Sequence, residues 1–158
     1  MSGITTTRTI QAPAEVVFAA ASDFAGAAGR IGAIERVEML TDGPVGVGTR
    51  FRETRRMRGR EASETMEVTL FEPPRRYVLL AESHGCRYES GLSFTPAGTP
   101  EGSATTVAMH FAAEPLTLPA KILAFLCRPM MKMVARACAK DLDDLARTVE
   151  GQGRDASG

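Results

Sequence analysis

The chain has 158 residues with nineteen basic and nineteen acidic side chains; that length buries a core without disulfide or metal support, and that balance sets up no whole-molecule field toward nucleic acid or an acidic membrane. Cys86, Cys127 and Cys138 show no CxxC spacing and are odd in number, which points to reduced thiols rather than a secreted disulfide framework. The opening Met1 to Arg8 lacks the apolar stretch of a signal peptide and no apolar run approaches the roughly 18 residues of a membrane span, so a cytoplasmic protein without integral membrane contact is expected.

Ile4 to Ile10, rich in Thr and β-branched residues, reads as a first strand. Pro13 then opens a helix over Ala14 to Ala21, at a position where its missing N–H does no harm. Asp23 to Ala28 reads as a second short helix and Arg30 to Ala33 as a loop. Ile34 to Leu40 is a strand ended by Asp42-Gly43-Pro44, a strong turn signal. From Thr49 to Arg58, Arg50, Arg52, Thr54 and Arg56 share one face and Phe51, Glu53, Arg55 and Met57 the other. The wholly polar set is expected to face water, and the second set to point inward.

Gly59 turns the chain into Glu61 to Glu72, with Met66, Val68 and Leu70 on its dry face. Tyr77 to Ser83 is apolar at consecutive positions, so alternation does not settle its facing. Tyr88, Ser90, Leu92 and Phe94 form the inward set of the next strand, and Val107, Met109 and Phe111 that of the last, Ala104 to Ala113, leaving His110 outward. Thr117 and Pro119 make a cap and first turn for a long helix whose apolar stripe runs from Leu123 and Leu126 through Met130, Val134 and Cys138 to Val149. Pro129 interrupts that pattern, and a kink or break is expected near Cys127. Gly151 to Gly158 reads as a frayed tail. A long amphipathic helix after a meander of strands buries its stripe on one sheet face, which is an α+β fold with a single core over residues 1–150.

With this order of elements the chain resembles the START-like helix-grip superfamily, in its polyketide cyclase/dehydrase-like branch within the SRPBCC group. Ala12-Pro13-Ala14-Glu15-Val16-Val17-Phe18 through Asp23, Gly46-Val47-Gly48-Thr49-Arg50-Phe51, Phe71-Glu72-Pro73-Pro74-Arg75-Arg76-Tyr77, Phe94-Thr95-Pro96-Ala97-Gly98 and the helix end Leu142 to Glu150 carry the resemblance. It implies a seven-stranded curved antiparallel sheet wrapped around a long C-terminal helix, two short helices after the first strand, and a hydrophobic cavity between sheet and helix. It does not imply one reaction, because proteins of this kind include carriers, cyclases, hydrolases and dehydratases.

The residues expected to line that space are Phe51, Glu53, Arg55, Met66, Val68, Leu70, Leu79, Tyr88, Ser90, Leu92, Met109 and Phe111 from the sheet, and Leu123, Leu126, Met130 and Val134 from the helix. Each large apolar side chain fully buried stabilises by roughly 1.5–3 kcal/mol, so the fold has reason to hold them without a ligand. Flexible Met mixed with a few polar groups nevertheless suits an apolar pocket with fixed anchors. Glu53 and Arg55 share a face and need partners if buried. One reading is a self-satisfied ion pair near the rim. The other has Arg55 holding a ligand carboxylate or enolate while Glu53 or Tyr88 moves protons.

His84 and His110 have no ligating neighbours at metal spacing, and Gly43 to Gly48 lacks the Lys-Ser/Thr ending of a phosphate loop. No metal or cofactor is expected. Arg50, Arg52, Arg55, Arg56, Arg58 and Arg60 are interleaved with Glu53, Glu61, Glu64 and Glu67 and lack flanking aromatics for base stacking, so no nucleic acid is expected. The expected function is binding of a small hydrophobic, lipid- or polyketide-like molecule by a monomer or homodimer. The alternative is a cofactor-independent cyclase or dehydratase in the same cavity.

Overall fold

The computed structural model describes residues 2–57, 59–98 and 103–155. Seven strands, β1 (Ser2–Ile10), β2 (Ile34–Met39), β3 (Arg50–Met57), β4 (Arg60–Glu72), β5 (Arg76–Ser83), β6 (Cys86–Pro96) and β7 (Thr105–Pro115), form one antiparallel sheet in the order β1-β7-β6-β5-β4-β3-β2. Helix α1 (Ala14–Ser22) and a 3-10 turn (Phe24–Gly29) fill the connection from β1 to β2, and α2 (Leu118–Leu126) and α3 (Met131–Asp155) follow the sheet. This is the helix-grip α+β arrangement expected from the sequence. Among the described residues no helix is long and apolar enough to cross a membrane.

Alternation decides which side chains meet α3. Phe51, Val68, Tyr77, Leu79, Leu92, Phe94 and Val107 point inward and are buried with Leu142, Leu145 and Val149 of α3. Phe18 of α1 plugs one end, its ring 5.2 to 5.9 Å from those of Phe94, Phe71 and Tyr77. Phe24 stacks on Phe51 at 4.6 Å. Asp23 caps the 3-10 turn by accepting from the Gly26 N–H, which sets Phe24 in place.

Four carboxylates tie α3 down. Asp143 pairs with Arg8 of β1, Glu150 accepts from the Gln11 N–H at 3.2 Å, Asp144 accepts from the Gly32 N–H at 2.9 Å, and Asp141 accepts from Arg55 of β3 at 2.7 Å. Because β1 is an edge strand and β3 lies next to the other edge, β2, the helix is fastened on both sides of the concave face.

Several sequence expectations need correction. Leu70 does not face the core: the register slips between Val68 and Leu70, so Leu70 pairs with outward Val78 and Phe71 with inward Tyr77. Thr54 lies on the outer face yet is buried, its hydroxyl 2.7 Å from that of Ser63. Helix α3 runs on to Asp155, and residues 156–158 of the expected tail lie outside the described residues. Pro129 does break the long helix. Cys127 is the C-cap of α2, and a 3-10 turn, Arg128–Met130, leads into α3. The largest departure is α2, whose Leu123 and Leu126, with Met130 after it, are exposed instead of covering the sheet. The side it turns to the body carries only Ala120, which is buried. Arg58 and residues 99–102 lie outside the described residues.

Candidate functional site

The concave face is covered unevenly. Along β7, Val107 is buried while Met109 and Phe111, one and two steps further on the same face, are half-buried. Along β6, Leu92 and Phe94 are buried while Tyr88 and Ser90 are half-buried, and along β4 Val68 is buried while Met66 is not. The burying agent is the second half of α3, from Cys138 onward. In its first half Met131, Met133 and Val134 are only half-buried. Val134, Cys138, Asp141 and Leu145 fall on one helical stripe, and the Asp141 bond to Arg55 aims that stripe at the sheet.

At the boundary between the covered and open ends sits a charged triad. Arg55 Nε donates to Glu53 Oε1 at 2.5 Å, and one Nη donates to Asp141 Oδ2 at 2.7 Å. Glu53 and Asp141 are each 8% exposed, whereas the Arg55 side chain keeps 27% of its surface. No described residue engages the other Nη of Arg55. Burial alone lowers the pKa of Arg55, but the charges and hydrogen bonds of Glu53 and Asp141 together raise it, so it is a permanent cation. Two carboxylates on one guanidinium leave the set formally anionic.

Tyr88, Tyr77, Cys138 and Ser83 add neutral donors to the inner face and to the helix stripe that meets it. Burial, followed by the Cys86 thiol and the Glu64 charge, pushes Tyr88 up to about 12. Its ring lies 6.1 Å from that of Phe111, at 24°. Burial and then the Glu53 charge raise Tyr77, whose hydroxyl donates to the Ala21 carbonyl at 3.3 Å. Burial and then the Asp141 charge raise Cys138, which favours its protonated thiol form. Ser83 donates to Glu64 at 2.9 Å on the same face.

The structure thus brings Glu53 and Arg55 together as expected. Tyr88, on β6, shares their face three strands further along, and no described contact joins it to the triad. Phe51, Val68, Leu79 and Leu92 are core floor; Met66, Ser90, Met109, Phe111 and Val134 border the open end; Leu123, Leu126 and Met130 stand in solvent. Asp141 was missed, although a carboxylate three residues after Cys138 on the apolar stripe is the kind of signal that marks a buried ion pair. Two hollows lie away from this floor, one of about 500 Å³ between α1 and the end of α3, bordered by Val16, Asp23 and Arg30. The other, of about 620 Å³, lies beside β2, β3 and β4, bordered by Arg36, Thr54, Ser63 and Ser83.

No group of three or more His, Cys, Asp or Glu suited to a metal ion occurs among the described residues. On the outer hairpin Arg56 is bound to Glu35 at 2.7 Å, and Arg36 lies 3.6 Å from Glu61, so those cations are largely matched.

The model of the family described as polyketide cyclase / dehydrase and lipid transport matches residues 1–150. The chain belongs to that family. A protein from Thermus thermophilus is 25% identical, with a TM-score of 0.77 over 96% of this chain and 99% of its own. The ZhuI aromatase/cyclase from Streptomyces sp. R1128 is 20% identical, with a TM-score of 0.78 over 99% of this chain and 98% of its own. A START superfamily protein from Mycobacterium smegmatis is 18% identical, with a TM-score of 0.63 over 95% of each chain. The latter two likenesses concern the fold. A comparison with curated proteins finds no match.

Proposed function

We propose that this protein binds a small hydrophobic or aromatic molecule, lipid- or polyketide-like, on the open end of the concave face beneath the first half of α3, and that it does so in the cytoplasm. The observation that carries the reading is the gradient of cover. Met66, Tyr88, Ser90, Met109 and Phe111 point inward but stay half-buried, while Val68, Leu92 and Val107 on the same face are dry. An apolar floor left wet by its own chain gains by covering itself with a ligand, at about 25 cal/mol for each Å² removed from water. The adjacent guanidinium, with one Nη unengaged, supplies the polar anchor such sites use.

The chain has no tryptophan, so Met109→Trp places a single indole on the floor. Titration with an environment-sensitive apolar dye is expected to saturate in the parent protein and to be lost in Met109→Trp. Leu126→Trp, placed in solvent, is expected to bind as the parent does. The absence of saturable binding, or equal loss in both variants, overturns the reading.

A second reading is supported by the triad. In a cyclase or dehydratase, Arg55 stabilises an enolate and Glu53 or Tyr88 transfers protons in the same space. Burial of Glu53 beside Arg55 favours it over a rim pair exposed to water. Under this reading Arg55→Met abolishes turnover of a poly-β-ketone surrogate while a neutral apolar dye still binds. A parent protein that binds the surrogate and returns it unchanged is a carrier.

A further inference from the structure

The zero net charge of the chain conceals a strongly one-sided segment. Between Glu114 and Asp141 there are five cations, Lys121, Arg128, Lys132, Arg136 and Lys140, and no carboxylate. All five are exposed, and none takes part in an ion pair among the described residues.

Helix α2 inside this segment is amphipathic the wrong way round for a soluble surface. Ala120 is the residue it buries. Leu118, Ile122, Phe125 and Leu126 lie within about 100° of one another on the opposite side, 71%, 58%, 66% and 67% exposed. Lys121 borders that apolar strip, and the Arg128 guanidinium lies 5.3 Å from the centre of the Phe125 ring. Exposed apolar side chains packed this densely and fringed by cations are uncommon on a free surface.

We infer that α2, with the cations that flank it, is a docking surface for an anionic lipid bilayer, its apolar strip entering the headgroup boundary and its Lys and Arg meeting lipid phosphates. Charge selects this occupant over a second copy of the chain. A two-fold dimer sets the same patch against itself, which here opposes cations to cations with no carboxylate to separate them. A phosphate backbone alone matches the charge but leaves the apolar strip unused. The interaction is peripheral, since α2 is nine residues long. It is independent of the ligand on the concave face, because α2 is held by Ala120 and by the β5–β6 turn rather than by the floor.

The test is co-sedimentation of the full chain with vesicles of phosphatidylcholine alone and of phosphatidylcholine mixed equally with phosphatidylglycerol, read without added ligand. Binding to the mixed vesicles only, weakening as salt rises, is the expected result. Lys121→Ala and Arg128→Ala are each expected to lower partitioning about fivefold, and the exposed pair Ile122→Glu/Phe125→Glu to abolish it with an unchanged circular dichroism spectrum and melting midpoint. Equal binding to both vesicle types, no binding to either, or an intact interaction in the double variant overturns the inference. A dimer in sedimentation velocity that Ile122→Glu/Phe125→Glu disperses, with no vesicle binding, overturns it in favour of self-association. Each of these results leaves the dye titration on the concave face to be judged separately.

Discussion

Arg55 and Asp141, 86 positions apart in sequence, meet at 2.7 Å between the sheet and the last helix, and Glu53 closes on the same guanidinium at 2.5 Å. Replacing Arg55 by Met leaves two buried carboxylates with no counter-charge. Breaking a buried pair in this way costs about 3–5 kcal/mol, and since Arg55 retains 27% exposure the lower end, about 3 kcal/mol, is expected. Urea unfolding is the measurement, read as a lower midpoint at unchanged slope. Adding Glu53→Gln and Asp141→Asn to Arg55→Met removes the orphaned charges and is expected to restore most of the loss. A single variant within about 0.5 kcal/mol of the parent, the range of an ordinary surface change, rules out a dry triad.

What the sequence made legible follows from which forces act locally. Alternation placed Phe51, Glu53, Arg55, Tyr88, Leu92, Met109 and Phe111 on the inner face because a two-residue period survives in any strand that keeps its register. It failed at Leu70, where one extra residue reverses the facing and leaves no compositional mark. Pro129 announced the break at Cys127 because its effect is covalent. The outward turn of α2 was not legible, since Leu123 and Leu126 fit a buried stripe equally well, and the choice was made by where Thr117 and Ala120 could seat. The place of Asp141 on the apolar stripe flags a buried charge in the sequence, but its partner became readable only once β3 and α3 were known to face each other.

The bulge behind the error at Leu70 is itself testable. Phe71 packs its ring 5.3 Å from that of Phe18, whereas Leu70 pairs with Val78 on the outer face. Phe71→Ala is expected to destabilise by about 2 kcal/mol, below the 3–5 of a fully buried Phe because Phe71 is half-buried, and Leu70→Ala by less than about 1. Equal costs, measured by thermal or urea unfolding, put Leu70 back on the inner face.

Alkaline pH reports on the same face. Tyr88 is held near 12, and Tyr77 is also raised by its burial, against about 10 for an unfolded phenol. Between those values the folded chain binds more protons than the unfolded one, so stability is retained below about pH 10 and falls as pH rises toward 12. With two tyrosines and no tryptophan in the chain, phenolate absorbance follows the titration directly. Less than half of the signal is expected at pH about 10, with the remainder appearing near 12 and on unfolding. Both rings titrating as free tyrosine at about 10 contradicts the enclosure described for them.

The seat of α2 rests on one glycine. Gly85, in the β5–β6 turn, has φ +75°, and a Cβ there would lie 2.6 Å from Thr117 Oγ1 and 3.3 Å from Ala120 Cβ. Thr117 Oγ1 is the cap of α2, accepting from the Ala120 N–H at 3.3 Å. Gly43 has a similar φ of +88° with nothing near it. Gly→Ala therefore carries the same left-handed backbone cost at both positions, about 1–2 kcal/mol, and differs only in the collision. Gly85→Ala is expected to lose a further 1 kcal/mol or so with the cap and, more tellingly, to speed proteolytic cleavage within α2 several-fold, whereas Gly43→Ala leaves that cleavage rate unchanged because nothing it touches leads to the helix. If the two variants release α2 equally, the turn does not hold the helix, and its outward-facing Leu118, Ile122, Phe125 and Leu126 owe their direction to the chain beyond Cys127 instead.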